Sequence, residues 1–216
     1  MHWLTQTFTS SIGKKAIMAT SGLLLGLFVL VHMLGNTTAF AGREVFIAYA
    51  EALHAYDSLL IVFELVLLAF FLGHVISALT LALANRAARP TPYAVKADAG
   101  GRTLASRSML YSGLVVLVFL VVHVFQFKFG NRESLSVDLI RQILQQPLFA
   151  LFYLVGALAV ALHISHGFWS LWQSLGVEHP KYNPALRRGA VALAIVTGLM
   201  FSLIPVAVLL FPRFLL

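Results

Sequence analysis

The sequence predicts an all-α, polytopic membrane protein, a bundle of five transmembrane helices forming one domain over residues 1–216. Three observations carry this reading. Apolar residues make up 60% of the chain and charged ones 11%, where a soluble domain carries roughly a quarter charged. The apolar excess gathers into runs of about twenty residues, the length that crosses about 30 Å of hydrocarbon. The first four runs carry, in order, His32, His74, His123 and His163, the fourth run also His166. The excess of 15 Lys and Arg over 8 Asp and Glu does not mark a nucleic-acid binder, because the basic residues flank the apolar runs, where they set topology. The chain has no cysteine, so it forms no disulfide and supplies no ligand to thiolate zinc or iron–sulfur sites.

Residues 1–15 read as an amphipathic lead-in, with Trp3 and Phe8 suited to an interface and Lys14-Lys15 marking the cytoplasmic side. Span I follows over about 16–38. Ala39-Phe40-Ala41 has the form of a signal-peptidase site. The run from Ala16 to Leu34 is nevertheless longer than a signal-peptide core of about 7–15 residues, and it is read as a retained span. The connection 39–56 has the pattern of a helix lying on a surface. Span II covers about 57–85 and ends at Asn85-Arg86, before a polar loop, 86–106, with a Gly100-Gly101 pair. Span III covers about 107–129, and the polar stretch 130–146 has room for a short helix. Pro147 suits the first turn of span IV, about 147–175. After the loop His179–Pro184, span V covers about 187–211, where Pro205 is expected to kink the helix.

Counting Lys and Arg orients the bundle. With the N-terminus inside, the inner segments hold ten: Lys14, Lys15, Arg86, Arg89, Lys96, Arg102, Arg107, Lys181, Arg187 and Arg188. The outer ones hold five: Arg43, Lys128, Arg132, Arg141 and Arg213. The excess favours a cytoplasmic N-terminus and an outer C-terminus for five spans.

Imidazole nitrogens need partners that hydrocarbon cannot supply, so four histidines in four spans call for a joint explanation. Two sit in a repeat: Ser21-Gly-Leu-Leu-Leu-Gly-Leu-Phe-Val-Leu-Val-His32 aligns without a gap on Ser112-Gly-Leu-Val-Val-Leu-Val-Phe-Leu-Val-Val-His123, with Met18 and Met109 each three residues before the serine. Depth then sorts them. His32 lies 17 residues beyond Lys15 and His123 lies 16 beyond Arg107, so each is about 25 Å along an outward-running helix. His74 precedes Arg86 by 12 residues and His163 precedes Gly176 by 13, about 18–20 Å from the inner end. Spans I and III thus pair one set and spans II and IV the other. The expectation is two bis-histidine centres between helices I–IV, each holding a b-type haem and suited to electron transfer, because no iron position stays open. The alternative for each histidine is a hydrogen-bonded packing residue.

His166, three residues after His163, points about 60° away; one of the two ligates while the other bonds a propionate, water or serine, and matched Ser77 and Ser165 favour His163. Gly22, Gly26 and Gly113 either admit a flat macrocycle or serve helix packing. Lys14, Lys15, Arg102, Arg107 and Ser108 either meet inner propionates or anchor the topology. Glu64, seven residues into span II near the level of the outer centre, is a candidate proton acceptor for a quinol; the alternative is a hydrogen-bonded interfacial glutamate.

These residues resemble a known family, the dihaem cytochrome b membrane anchors of succinate dehydrogenase and fumarate reductase, b558 type. The resemblance covers nearly the whole chain. It is carried by Ser11-Ile-Gly-Lys-Lys15, His32-Met-Leu-Gly-Asn36, Gly101-Arg-Thr-Leu-Ala-Ser-Arg-Ser-Met109, His123, and His163-Ile-Ser-His-Gly167 with Gln173-Ser-Leu-Gly176. It implies two haem b groups, the distal on His32 and His123 and the proximal on His74 and His163. It also implies exchange of electrons with a quinone, menaquinone by expectation. Two soluble partners on the cytoplasmic face are implied as well, a flavoprotein subunit and an iron–sulfur subunit, and whether such complexes pair as dimers is left open. The enzyme would be the complex, with dicarboxylate chemistry on a partner. Some family members carry a second acidic residue just before the span IV ligand; here Ala161 and Leu162 stand there, and that kind of proton path lacks its residue. Two other readings share features with this one: the haem b subunit of a hydrogenase or formate dehydrogenase, and a haem-free transporter with histidines in a proton path.

Overall fold

The computed structural model of the chain describes residues 2–88, 104–130, 136–211 and 213, without the side chains of Leu4 and Ser136. Arg89, Lys96, Gly100, Gly101, Arg102 and Arg132, named above, lie outside the described residues. Eight α-helices occur among the described residues: α1 (His2–Thr9), α2 (Ser11–Thr37), α3 (Arg43–His54), α4 (Asp57–Ala87), α5 (Leu104–Phe127), α6 (Ser136–Leu144), α7 (Pro147–Ser174) and α8 (Asn183–Leu210). A short 3-10 segment, Thr38–Ala41, extends α2, and no strand occurs among the described residues. Five helices, α2, α4, α5, α7 and α8, are long and apolar enough to cross a membrane.

Local chemistry explains where the ends fall. α2 starts five residues before the expected span because Ser10 caps it, its side chain accepting from the Gly13 amide at 3.0 Å, and the lysine pair then sits within the helix. α8 starts at Asn183 rather than near 187, because Pro184 falls in the first turn, where its missing N–H costs nothing. Pro147 opens α7 in the same way. Pro205 lies inside α8, which runs unbroken to Leu210. Gly42, with φ 116°, turns the chain between the 3-10 segment and α3.

α7 is the hub. It packs along α8 and α5 and also meets α2, while α2 packs along α4. Small residues allow the closest approach: Ala157 and Gly156 of α7 are buried, as are Ala190, Ala194 and Gly198 of α8. α4 and α5 instead turn most of their large apolar side chains outward, with Leu59, Leu65, Val118 and Phe125 all more than half exposed. That distribution suits helices whose outer faces meet lipid.

One end of the bundle is capped by α3 and α6, the two short connections. Arg43 donates from Nη1 to Asp138 Oδ1 at 3.0 Å and from Nη2 to Oδ2 at 3.2 Å, a two-pronged bond between them. Beneath it lies a core of Phe46, Val137, Ile143, Leu144, Tyr153 and Val208, with Val137 at 0% exposure. The guanidinium beside Asp138 holds its carboxyl below the ordinary value of 3.8.

Candidate functional site

The four histidines meet in two pairs. The His32 and His123 rings lie 5.9 Å apart between centroids, with planes at 86°. The His74 and His163 rings lie 6.3 Å apart, with planes at 71°. Each pair joins helices on a diagonal of the bundle, α2 with α5 and α4 with α7, and neither diagonal packs along its length. Backbones therefore stay apart where the imidazoles come together. The depth argument from sequence named these same partners.

The repeat has a structural meaning that spacing did not reveal. Ser21 and Met18, of the first copy, hold His74 and not the histidine of their own helix. His74 Nδ1 is 3.1 Å from the Met18 carbonyl oxygen and 3.3 Å from Ser21 Oγ. In the second copy, Ser112 Oγ stands 3.3 Å from His163 Nδ1, and the Met109 carbonyl accepts from that serine. A carbonyl only accepts, and each serine hydroxyl donates to its own helix, Ser21 to the Ile17 carbonyl at 2.6 Å and Ser112 to the Met109 carbonyl at 3.1 Å. Both Nδ1 atoms must then carry the proton, and Nε2 is left with its lone pair free.

The glycines complete the two cradles. A Cβ at Gly22 would stand 3.1 Å from His74 Cε1, and one at Gly113 would stand 3.2 Å from His163 Cε1. Their role is close approach to an imidazole edge, a use that neither expectation for them named. Gly26 differs: a Cβ there would meet nothing within 4 Å.

The pair at the capped end is built of other parts. Phe28 stacks on His32 at 5.4 Å and Phe119 on His123 at 5.7 Å. Phe127 and Tyr153 also face His123, at 5.1 and 5.9 Å, and the Tyr153 hydroxyl donates to Gln126 Oε1 at 2.7 Å. His123 Nδ1 is buried with no hydrogen-bond partner among the described residues.

A metal fits these pairs on chemical grounds. Two imidazoles sharing one ion at about 2.0–2.1 Å per bond place their ring centres about 6 Å apart. The hydrogen-bonded Nδ1 and free Nε2 of His74 and His163 are the arrangement seen for ligating histidines. Among the described residues no group of three or more His, Asp or Glu is placed to hold a metal ion. Two protein ligands per centre suit a metal whose other positions a macrocycle fills.

Other expected site residues fall as follows. His166 lies on α7 and is in neither ring pair. Ser77 is buried on α4, and Ser165 Oγ donates to the Leu162 carbonyl at 2.7 Å. Lys15 and Arg107 are exposed, Lys14 is half-buried, and Ser108 Oγ bonds the Leu104 carbonyl at 3.0 Å. Glu64 meets Lys128, whose Nζ is 2.6 Å from both carboxylate oxygens. Sequence reasoning missed Lys128, which was counted only toward orientation. It also gave no role to Met18 and Met109, although the repeat contained them.

Fold and site together define a five-span helical membrane protein with two transverse histidine pairs. Over 163 residues the chain is 27% identical to the succinate dehydrogenase cytochrome b558 subunit of Bacillus subtilis (strain 168), an alignment covering 71% of this chain and 74% of that protein. That protein's likeness to this chain thus extends over most of both sequences. No family model matches it, and no solved structure matches it.

Proposed function

We propose that this chain is the membrane-anchor cytochrome b subunit of a succinate:quinone oxidoreductase or quinol:fumarate reductase. The observation that carries the reading is the pair of diagonal histidine contacts, 5.9 and 6.3 Å between rings, in a chain related to a cytochrome b558 subunit. His32 and His123 hold one haem b near the capped end, and His74 and His163 hold the second. When bound, each haem supplies reversible one-electron chemistry at an iron with no open position. The residues of the chain fix the imidazoles: Ser21, Met18 and Ser112 set the tautomer of one pair, and the Phe28, Phe119, Phe127 and Tyr153 rings keep water from the other.

The N-terminus lies in the cytoplasm in this reading, so the capped end faces outward in the cell's inner membrane. A flavoprotein subunit and an iron–sulfur subunit dock on the cytoplasmic face, and the haems link them to menaquinol or another quinol near the capped end. Glu64 accepts a proton there. Purification from membranes with pyridine haemochrome quantitation tests the core of the proposal. Two b haems per chain, co-purifying with a flavin subunit and an iron–sulfur subunit, are expected. A haem-free chain, or one haem per chain, would overturn it.

A further inference from the structure

The ion pair between Glu64 and Lys128 does more than satisfy a carboxylate. Both oxygens are 2.6 Å from Lys128 Nζ, and the two side chains are 36% and 39% exposed. Glu64 belongs to α4 and Lys128 follows the last residue of α5, two helices that do not pack along one another. The pair therefore spans the open side of the bundle.

Each partner is also tied to one histidine of the nearby pair. Phe63, next to Glu64, lies 6.1 Å from Phe28, which stacks on His32 at 5.4 Å. Phe127, next to Lys128, lies 5.1 Å from His123. The carboxylate is thus fixed at the level of the His32–His123 centre, at an opening between two lipid-facing helices. An ammonium holding both oxygens freezes a flexible side chain in one place, and it binds a neutral carboxyl far less strongly than a carboxylate.

We propose that Lys128 is the positioning residue for proton transfer at Glu64: it holds the carboxylate at the α4–α5 opening toward a hydroquinone and lets go when the proton arrives. The inference rests on the reading of Glu64 as the quinol's proton acceptor. The step breaks one phenolic O–H bond of the hydroquinone, forms an O–H bond on a Glu64 oxygen, and leaves a hydroquinone anion.

The test uses the purified complex with Lys128→Met, Lys128→Arg, Glu64→Gln and the double variant Lys128→Met/Glu64→Gln. Haem content, thermal stability, quinol oxidation and the redox-induced infrared difference spectrum are measured on each. Lys128→Met is expected to lower kcat for quinol by about 10-fold or more, within the range of a disturbed proton transfer, with haems retained. Lys128→Arg restores most of it, and the double variant is no slower than Glu64→Gln. The carboxyl band lost in Glu64→Gln is expected to shift in Lys128→Met.

Wild-type turnover in Lys128→Met alongside slow Glu64→Gln would overturn the inference and leave the Glu64 reading standing. Wild-type turnover in Glu64→Gln would overturn both. Loss of haem or of stability in Lys128→Met, unrescued by arginine, would make the pair a structural bolt between helices. An unshifted carboxyl band with additive losses in the double variant would also refute it.

Discussion

The two histidine pairs are oriented by different means, hydrogen bonds at His74 and His163 and aromatic rings at His32 and His123. His74 Nδ1 is bound to a carbonyl and a serine hydroxyl and His163 Nδ1 to a serine hydroxyl, whereas His123 Nδ1 has no partner among the described residues. Substitutions should therefore sort by pair and not by helix. His32→Ala and His123→Ala should each remove, or turn high-spin, the haem near the capped end, and His74→Ala and His163→Ala the other. His166→Ala should leave both low-spin. Redox-titrated difference spectra with low-temperature EPR distinguish the classes, and a shared phenotype for His32→Ala and His74→Ala would refute the pairing. The serines give a sharper test. Ser21→Ala and Ser112→Ala lie in the helices of His32 and His123, yet each should weaken retention only of the haem on His74 and His163. The expected loss is about 10-fold or more, the usual effect of removing a hydrogen bond that orients a metal-binding histidine. Haem content after detergent washing reads it.

At the scale of elements, two contacts decide how the helices sit. A Cβ at Gly156 of α7 would overlap the Phe119 ring, which itself stacks on His123 at 5.7 Å. Gly156→Leu is expected to displace the Phe119 ring and with it the packing on His123, at a cost of about 1–3 kcal/mol from overpacking. Thermal denaturation with haem spectra should show selective loss of the centre near the capped end.

The second contact is the Arg43–Asp138 bond between α3 and α6. Its arginine holds the Asp138 carboxyl below 3.8, so the stabilisation is complete above that ordinary value. It is lost as pH falls through the lowered value of the folded state. Spin labels on Glu51→Cys and Gln142→Cys should report one unchanged distance from neutral pH down to about 5. As pH falls through the lowered value of the Asp138 carboxyl the distribution should broaden, and Asp138→Asn should show that broad distribution already at neutral pH. An unchanged distribution in Asp138→Asn would make the bond irrelevant to the cap.

For the whole molecule the proposed orientation, with the capped end outward, is tested by labelling. The chain contains no cysteine, so single introduced thiols report on a clean background. Glu178→Cys, in the exposed turn between α7 and α8, should react with an impermeant maleimide only after the cytoplasmic face is opened. Glu51→Cys on α3 should react from outside. The reverse pattern would invert the bundle and move the docking face of the soluble subunits to the capped end.

The amino-acid sequence determined the number of spans, the helix class and the grouping of histidines by depth. These follow from quantities that are local along the chain: apolar run length, distance from flanking charges and a rise of about 1.5 Å per residue. Helix ends were less legible, since the capping of Ser10 and the first-turn fit of Pro184 shift a boundary without changing the apolar pattern.

Only tertiary structure decided what the repeat is for. A gapless alignment of Ser21 and Ser112 says that two helices share a design, but a hydrogen bond to His74 or His163 spans more than fifty residues of sequence. The same holds for Lys128. Read alone it is one more flanking charge, and its partner Glu64 is 64 positions away. Hydropathy is a property of each residue and survives in the linear record. Which nitrogen faces which oxygen depends on how helices rotate about their own axes, and that is fixed only when they pack against each other.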